Sequence, residues 1–244
     1  MNQPQTIPSV QKDKKGIYLM KIKIAIDGPS GSGKSTLAKN IAKALGLVYV
    51  DTGALYRTVG LFAKRKGVSL EEASKVARFL PEANISLCYT EEGQRVILNE
   101  EDVSDLIRTP DMSMYASAVS AVPTVRAFLL EIQKKMAAAG GVVMDGRDIG
   151  TVIMPDADVK LFVEASPRSR AIRRHEELRA KGDPSTLEEV LADIIKRDSN
   201  DKNRAIAPAI PADDAIFIDN SDMTPEETLA HAIKIIKNKL HRTL

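Results

Sequence analysis

The run Gly28-Pro29-Ser30-Gly31-Ser32-Gly33-Lys34-Ser35 fits the pattern G-x-x-x-x-G-K-[ST] without a mismatch, and it restricts the fold more than any other stretch. Ile22, Ile24, Ala25 and Ile26 read as a strand leading into it. From Thr36 to Leu45 the residues Leu37, Ile41, Ala44 and Leu45 recur at helical spacing, so a helix leads out. A chance Gly/Ser loop would not need this strand–loop–helix context. Glycines let the backbone curl so that successive N–H groups point inward at phosphate oxygens. The helix N-terminus adds the positive end of its dipole. Gly28 to Thr36 are therefore the candidate residues for binding the phosphates of a nucleoside triphosphate. Lys34 is expected to reach the β- and γ-phosphates, and the Ser35 hydroxyl to reach Mg²⁺.

What surrounds this loop is bounded by the whole chain. Its 244 residues suit one large α/β domain or two small ones, and 43% hydrophobic residues suffice for a core without a staple or structural metal. A formal net charge of +2 argues against a polyanion binder that works by bulk charge. With no Trp and 4% aromatics, stacking platforms for single-stranded nucleic acid are not expected. Cys88 stands alone, so no internal disulfide forms and a reducing cytoplasm is the expected setting. No apolar run approaches the ~20 residues of a membrane helix.

After Gly46, Leu47 to Asp51 reads as a second strand. Thr52-Gly53 is expected to turn the chain into a helix holding Leu55, Tyr56, Val59, Leu61 and Phe62. Ser69-Leu70-Glu71-Glu72 reads as a capping box opening a helix that runs to Leu80 and stops at Pro81. Ile85, Leu87 and Tyr89, then Val96 and Leu98, alternate with polar residues about a turn at Glu91-Glu92-Gly93, which predicts a β-hairpin. An antiparallel hairpin does not belong in a parallel core, so it marks an inserted subdomain, continuing through short helical pieces after Ser104 and Pro110. Pro123 opens a long helix ended by Gly140-Gly141. Val142-Val143-Met144, Val159 to Val163 and Ala215 to Asp219 read as further strands. Helices start at Ser166-Pro167, at Thr186 (running to about Asn200) and at Thr224-Pro225, and Asp201 to Pro211 reads as loop. Five core strands separated by helices predict an α/β fold with a parallel sheet covered on both faces, and ligand at its carboxyl edge.

The expected strand ends carry Asp27, Asp51, Asp145 and Asp219. Three elements should converge there. Tyr56 and Arg57 follow the strand end at Asp51, where an Arg can clamp a phosphate with two parallel bonds. Asp145 ends a buried strand and can hold Mg²⁺ with Ser35, directly or through water. Arg147 and Asp148 follow at once, more charge than a plain turn needs. The arginine series Arg168, Arg170, Arg173, Arg174, Arg179, Arg197 and Arg204 comes third, with Arg170, Arg173 and Arg174 on one helix face. An ordinary solvated face is the plain alternative for any one of them. The block Arg197 to Arg204, followed by Ala207-Pro208, suits a movable lid that brings charge to phosphates. Lys34, Arg147, Arg170 and Arg174 are the candidate catalytic groups. Phosphoryl transfer needs positioning, charge neutralisation and exclusion of water more than covalent chemistry.

At these residues the chain resembles the bacterial cytidylate kinases. The resemblance rests on GPSGSGKST, DTGALYR, DGRDIGT followed by PDADVKLFVEAS, and RDSNDKNRAIAP, in that order, and extends from about Lys21 onward. It implies a nucleoside monophosphate kinase: a phosphate-loop core with a five-stranded parallel sheet, an inserted monophosphate-binding subdomain at about 52–122 and a helical lid at about 167–205. The implied reaction moves the γ-phosphoryl group of ATP, with Mg²⁺, to CMP or dCMP. Tyr56, Arg57 and Arg147 match side chains around the acceptor phosphate. Ser117, Arg126 and Asp148 match groups that read cytosine. Arg197 and Asp201 match the pair at the ribose hydroxyls, and Arg204 matches a further phosphate-side arginine. Cytosine offers an N4 amino donor beside N3 and O2 acceptors, so an acid with Arg and Ser is a complementary set. Thr52 stands where relatives of this kind carry Ser, which keeps the hydroxyl.

A kinase for another nucleotide or for shikimate would share the core but not the hairpin with Ser117, Arg126 and Asp148. A GTP switch needs Asn-Lys-x-Asp, and Asn238-Lys239 is followed by Leu240-His241. The expected partners are ATP and CMP or dCMP, with neither nucleic acid nor membrane, and the expected state is a monomer in the cytoplasm. Residues 1–20 are polar, hold two prolines and include Lys12-Asp13-Lys14-Lys15, and read as a disordered tail without a counterpart in the family pattern. A chain shortened to begin at Met20 is expected to keep its melting temperature and kcat/KM. A loss of several degrees would show instead that the tail packs on the domain.

Overall fold

A computed structural model describes residues 22–90, 93–180 and 182–241. The tail and the turn residues Glu91 and Glu92 lie outside the described residues. In chain order the elements are β1 (Lys23–Asp27), α1 (Lys34–Leu45), β2 (Val48–Asp51), α2 (Thr52–Arg65), β3 (Ile85–Thr90), β4 (Gly93–Leu98), β5 (Glu101–Asp102), α3 (Pro110–Ser120), α4 (Pro123–Ala138), β6 (Val142–Gly146), β7 (Val159–Glu164), α5 (Pro167–Arg179), α6 (Leu187–Asn203), β8 (Ile216–Asp219) and α7 (Pro225–His241). The chain divides into two compact units, Val50–Gly140 and Ile22–Tyr49 with Gly141–Leu244.

The second of these units is built on a five-stranded sheet of order β2-β6-β1-β7-β8, in which β1 pairs parallel with β6 and β7, and β7 with β8. Ile24, Ile26, Val143, Val159, Leu161, Val163 and Ile218 bury the strands, while Leu37, Ala38, Ile41 and Ala42 of α1 and Ala232 and Ile236 of α7 pack against them. The near-continuous apolar runs of β1, β6 and β7 follow from burial on both faces. β1 stands at the centre of the sheet, which places Asp27 and the loop after it where the strand order reverses, the usual ligand edge. Within the same unit α5 and α6 share a small core of Ala171, Leu178, Val190 and Ile194. α6 opens with a complete capping box, Thr186 accepting from Glu189 N–H and Glu189 accepting from Thr186 N–H.

The Val50–Gly140 unit packs α2, α3 and α4 with a three-stranded antiparallel sheet of order β3-β4-β5. Ile85 and Leu98 face each other across the hairpin and are buried, as are Leu55, Val59, Val119 and Leu129 from the helices.

Four expectations change. Thr52 and Gly53 are not a turn but the first residues of α2, because the Asp51 carboxylate caps it by accepting from Ala54 N–H at 2.9 Å. The segment after Ser69 is not an α-helix. It forms two 3₁₀ pieces, Ala73–Arg78 and Leu80–Glu82, closed by i→i+3 bonds such as Phe79 N–H to Val76 O at 2.9 Å. Glu72, the expected capping partner, pairs with Lys75 instead. The hairpin gains a third short strand, β5, whose Glu101 pairs with Leu98. Finally, Asp201 is not in a loop. α6 runs to Asn203, which puts Arg197 and Asp201 one turn apart on a helix, with Arg204 at its C-terminal cap.

Candidate active site

The loop between β1 and α1 is shaped by backbone constraint before any side chain acts. At Gly28, φ is 152°, and a Cβ there would lie 2.0 Å from the Val163 carbonyl oxygen, so only glycine lets the loop pass β7. α1 starts at Lys34 with no side-chain cap and no acid in its first turn. Its first-turn N–H groups and the positive dipole end therefore favour an anion. The Ser32 hydroxyl is buried without a hydrogen-bond partner, a polar group left for a ligand to satisfy. Lys34 is buried beside this loop and its ammonium donates to the Pro29 carbonyl at 3.1 Å.

Ser35 Oγ donates to Asp145 Oδ2 at 2.6 Å, and the Tyr49 hydroxyl donates to Asp145 Oδ1 at 2.8 Å. β6 carries Asp145, and its parallel register with β1 sets Asp145 opposite Ile26. A hydroxyl and a carboxylate are hard oxygen donors of the kind Mg²⁺ takes when phosphates and water complete its shell. Among the described residues no group of three or more His, Cys, Asp or Glu could hold a metal ion.

Arg170, Arg173 and Arg174 of α5 line a cleft of about 500 Å³ with Gly31, Lys34 and Ser35. Arg170 is buried. It donates to Asp198 twice, at 2.6 and 3.1 Å, to Ser30 O at 2.9 Å and to Ala165 O at 2.9 Å. Arg174 pairs with Glu177 at 3.0 Å on the same cleft. Arg173 donates to Asn220 O at 2.6 Å and to Asn220 Oδ1 at 3.2 Å, and Asn220 Nδ2 donates to Ser32 O at 2.8 Å. Two phosphate-loop carbonyls are thus tied to α5, one directly and one through Asn220.

Arg147 Nε donates to Asp201 Oδ2 at 2.8 Å, and Arg204 lies 3.7 Å from Asp201 Oδ1. Burial raises the pKa of Asp201, but Arg147, Arg204 and Arg197 overcome this and hold the carboxyl below the usual range. Burial also lowers Arg197, with Arg147 and Arg174 adding like-charge repulsion. Four of the expected residues, Arg147, Arg197, Asp201 and Arg204, are therefore one cluster. Asp148, next to Arg147, is buried.

Asp27 is pushed up to about 6, first by burial and then by the neighbouring Asp148 charge, against the Ile149 and Gly150 N–H groups and Lys34. The folded protein thus binds a proton here more tightly than the unfolded chain. This group's contribution to stability falls as pH rises from about 4 through about 6. Between pH 4.5 and 7 the loss is expected to be about 2 kcal/mol. Urea titrations should show the wild-type protein losing more stability than Asp27→Asn over that interval; parallel losses would remove this assignment.

In the Val50–Gly140 unit, Arg57 pairs with Asp51 at 2.7 Å. The Arg126 guanidinium lies 5.6 Å from the Tyr56 ring centroid, in reach of a cation–π contact. Arg126 donates to Ser120 O at 3.5 Å, and the Ser120 hydroxyl donates to Ser117 O at 2.8 Å. Tyr56, Ser117 and Arg126 are thus gathered around the α3–α4 corner.

Tyr49 and Asn220 were not singled out by the sequence. Tyr49 carries no local signal, since an aromatic in a strand reads as packing. Asn220 could have been noticed as the first polar residue past the last strand at the ligand edge.

A family profile described as "Cytidylate kinase" matches residues 24–238. A cytidylate kinase of Carboxydothermus hydrogenoformans is 48% identical over 218 residues, 89% of this chain and 98% of that protein. One from Caldanaerobacter subterraneus subsp. tengcongensis is 48% identical over 88% of this chain and 95% of its own length. A solved shikimate kinase from Bacteroides thetaiotaomicron is a distant likeness, with a TM-score of 0.45 and 13% identity over 88% of this chain and 98% of that one.

Proposed function

The chain belongs to the cytidylate kinase family, and on that premise we propose that the residues described above transfer the γ-phosphoryl group of ATP to CMP or dCMP, giving ADP and CDP or dCDP. An oxygen of the acceptor phosphate attacks the γ-phosphorus as the bond to the β,γ-bridging oxygen breaks, and ADP leaves. The observation that carries this reading is the uncapped α1 N-terminus, with Lys34 and the buried, unpartnered Ser32 hydroxyl at the loop. Backbone N–H groups and Lys34 neutralise the β- and γ-phosphates. Arg170 and Arg174, from the cleft that Lys34 also lines, take up charge on the transferring group.

Members of this family use Mg²⁺ with ATP, and Ser35 with Asp145 would hold it here. When bound there, Mg²⁺ would neutralise negative charge on the phosphates. On the acceptor side, Tyr56, Arg57 and Arg147 take the phosphate. Ser117, Arg126 and Asp148 read the base, Asp148 accepting from the cytosine N4 amino group. Arg197 and Asp201 take the ribose hydroxyls, and Arg204 a phosphate. Residues from about 52 to 122 serve in this reading as the acceptor insert, and those from about 167 to 205 as the lid. Among the described residues no single helix is long and apolar enough to cross a membrane. The reading extends to a cytoplasmic monomer with small-molecule partners alone.

A coupled assay with ATP against a panel of monophosphates tests the acceptor. Asp148→Asn tests the base reading. Hydrogen bonds to a charged group contribute ~1.5–3 kcal/mol, about 10- to 150-fold, so kcat/KM for CMP is expected to fall by that factor. UMP should fall less, because the amide can turn its NH₂ toward O4. An unchanged CMP/UMP ratio would sink the base-reading role.

A further inference from the structure

Asp27 belongs to none of the groups assigned above to donor, acceptor or metal. It ends β1 directly before Gly28 and is buried. Oδ1 accepts from Ile149 N–H at 2.8 Å and Oδ2 from Gly150 N–H at 2.8 Å, across more than 120 residues of chain. Ile149 and Gly150 directly follow Asp148. The peptide plane joining Asp148 to Ile149 is held at both edges. Its N–H is bound by Asp27, and its carbonyl accepts from Val152 N–H at 3.0 Å and Ile153 N–H at 3.3 Å. A peptide is rigid and planar, so holding both edges fixes the plane that leaves Asp148, and with the chain before it held in β6 through Gly146 opposite Asp27 this restricts rotation about the Asp148 Cα–C bond and the direction in which that side chain leaves the backbone.

The far side of the single helical turn Ile149–Ile153 is equally confined. A Cβ on Gly150 would lie 3.2 Å from Lys160 Cδ and 3.4 Å from Asp27 Oδ2. Lys160 cannot readily retreat, since its ammonium is held by Asp214 at 2.8 Å. The turn is gripped between a carboxylate on one central strand and a tethered side chain on the next.

We propose that Asp27 is a positioning residue for acceptor choice: its carboxylate locks the Asp148–Ile149 peptide plane and so aims Asp148 from the residue that opens the phosphate loop. The proposal rests on the reading of Asp148 as the group that recognises cytosine. It gives one carboxylate two tasks, joining the entrance of the ATP loop to the segment that selects the acceptor.

The test compares the wild-type chain with Asp27→Asn, Asp148→Asn and the double variant, by kcat/KM for CMP and UMP at saturating ATP. Hydrogen exchange at the Ile149 and Gly150 amides accompanies it. Asn keeps one acceptor oxygen and turns an NH₂ toward the other N–H. Asp27→Asn is expected to lower the CMP/UMP ratio about 10-fold. The change should fall mainly in KM for the monophosphate, with KM for ATP within about twofold, a split that general loss of structure would not give. Exchange at the two amides should quicken. In the Asp148→Asn background, Asp27→Asn should leave the CMP/UMP ratio where it is. If Asp27→Asn leaves the ratio intact while Asp148→Asn changes it, the positioning role is wrong and the base reading stands. If Asp148→Asn itself leaves the ratio intact, the base reading fails and takes the proposal with it. Unchanged amide exchange in Asp27→Asn overturns the proposal directly. Should Asp27→Asn fail to fold, Gly150→Ala displaces the same turn with the carboxylate intact, and it must give the same ratio shift or the proposal falls.

Discussion

Lys34→Met is expected to lower kcat by about 10² or more in a protein that remains folded. The ammonium sits beside the loop and donates to the Pro29 carbonyl, within the cleft that Arg170 and Arg174 also line. Met keeps most of the apolar stem and removes the charge. What is lost is stabilisation that grows as negative charge shifts toward the leaving ADP, about 3 kcal/mol for a hundredfold change. The fall should therefore appear in kcat more than in KM for ATP. Steady-state kinetics beside a melting curve separate this from unfolding. Near-normal turnover in folded Lys34→Met would rule out the phosphate-loop assignment.

Asp145→Asn should produce the second large effect. The carboxylate receives hydrogen bonds from Ser35 and Tyr49 and stands next to last in a strand buried throughout. An amide of the same shape can keep one of these bonds but carries no charge for Mg²⁺. Losses at metal-supporting groups run about 10- to 100-fold. We expect kcat/KM to fall by up to about 100-fold and the Mg²⁺ concentration for half-maximal rate to rise about 10-fold. The melting temperature of the nucleotide-free protein should change little, or rise, as a buried charge is removed. A Mg²⁺ dependence identical to that of the wild-type protein would take the metal role away from Asp145.

The core elements were legible because each is written locally. Leu37 and Ile41 recur at helical spacing, Val142 to Met144 are continuously apolar, and Pro123 and Gly140 bracket α4. The misread segments have a common cause, which is that local signals there were outvoted by partners far along the chain or by a neighbour that offered a better bond. The capping box at Ser69 failed because Glu72 took Lys75. The loop expected from Asp201 proved helical to Asn203. Asp201, with Arg147 at 2.8 Å, sits on that last turn, a contact 54 residues apart in the chain that no window of sequence displays.

The candidate site divides the same way. The sequence alone determined the phosphate loop, the lysine and serine within it, and the acids at strand ends, because a fixed spacing between a strand and a helix forces those groups to one edge. It also marked the arginines, though only as charges on helix faces. Tertiary structure decided which arginine meets which acid: Arg170 with Asp198, Arg147 with Asp201, Arg57 with Asp51. It decided too that Asn220 braces Ser32 and that Asp27 grips the turn after Asp148. Spacing dictates position along an element, but hydrogen bonds between elements depend on strand order and register, and those are set only when the whole sheet has assembled around a common core.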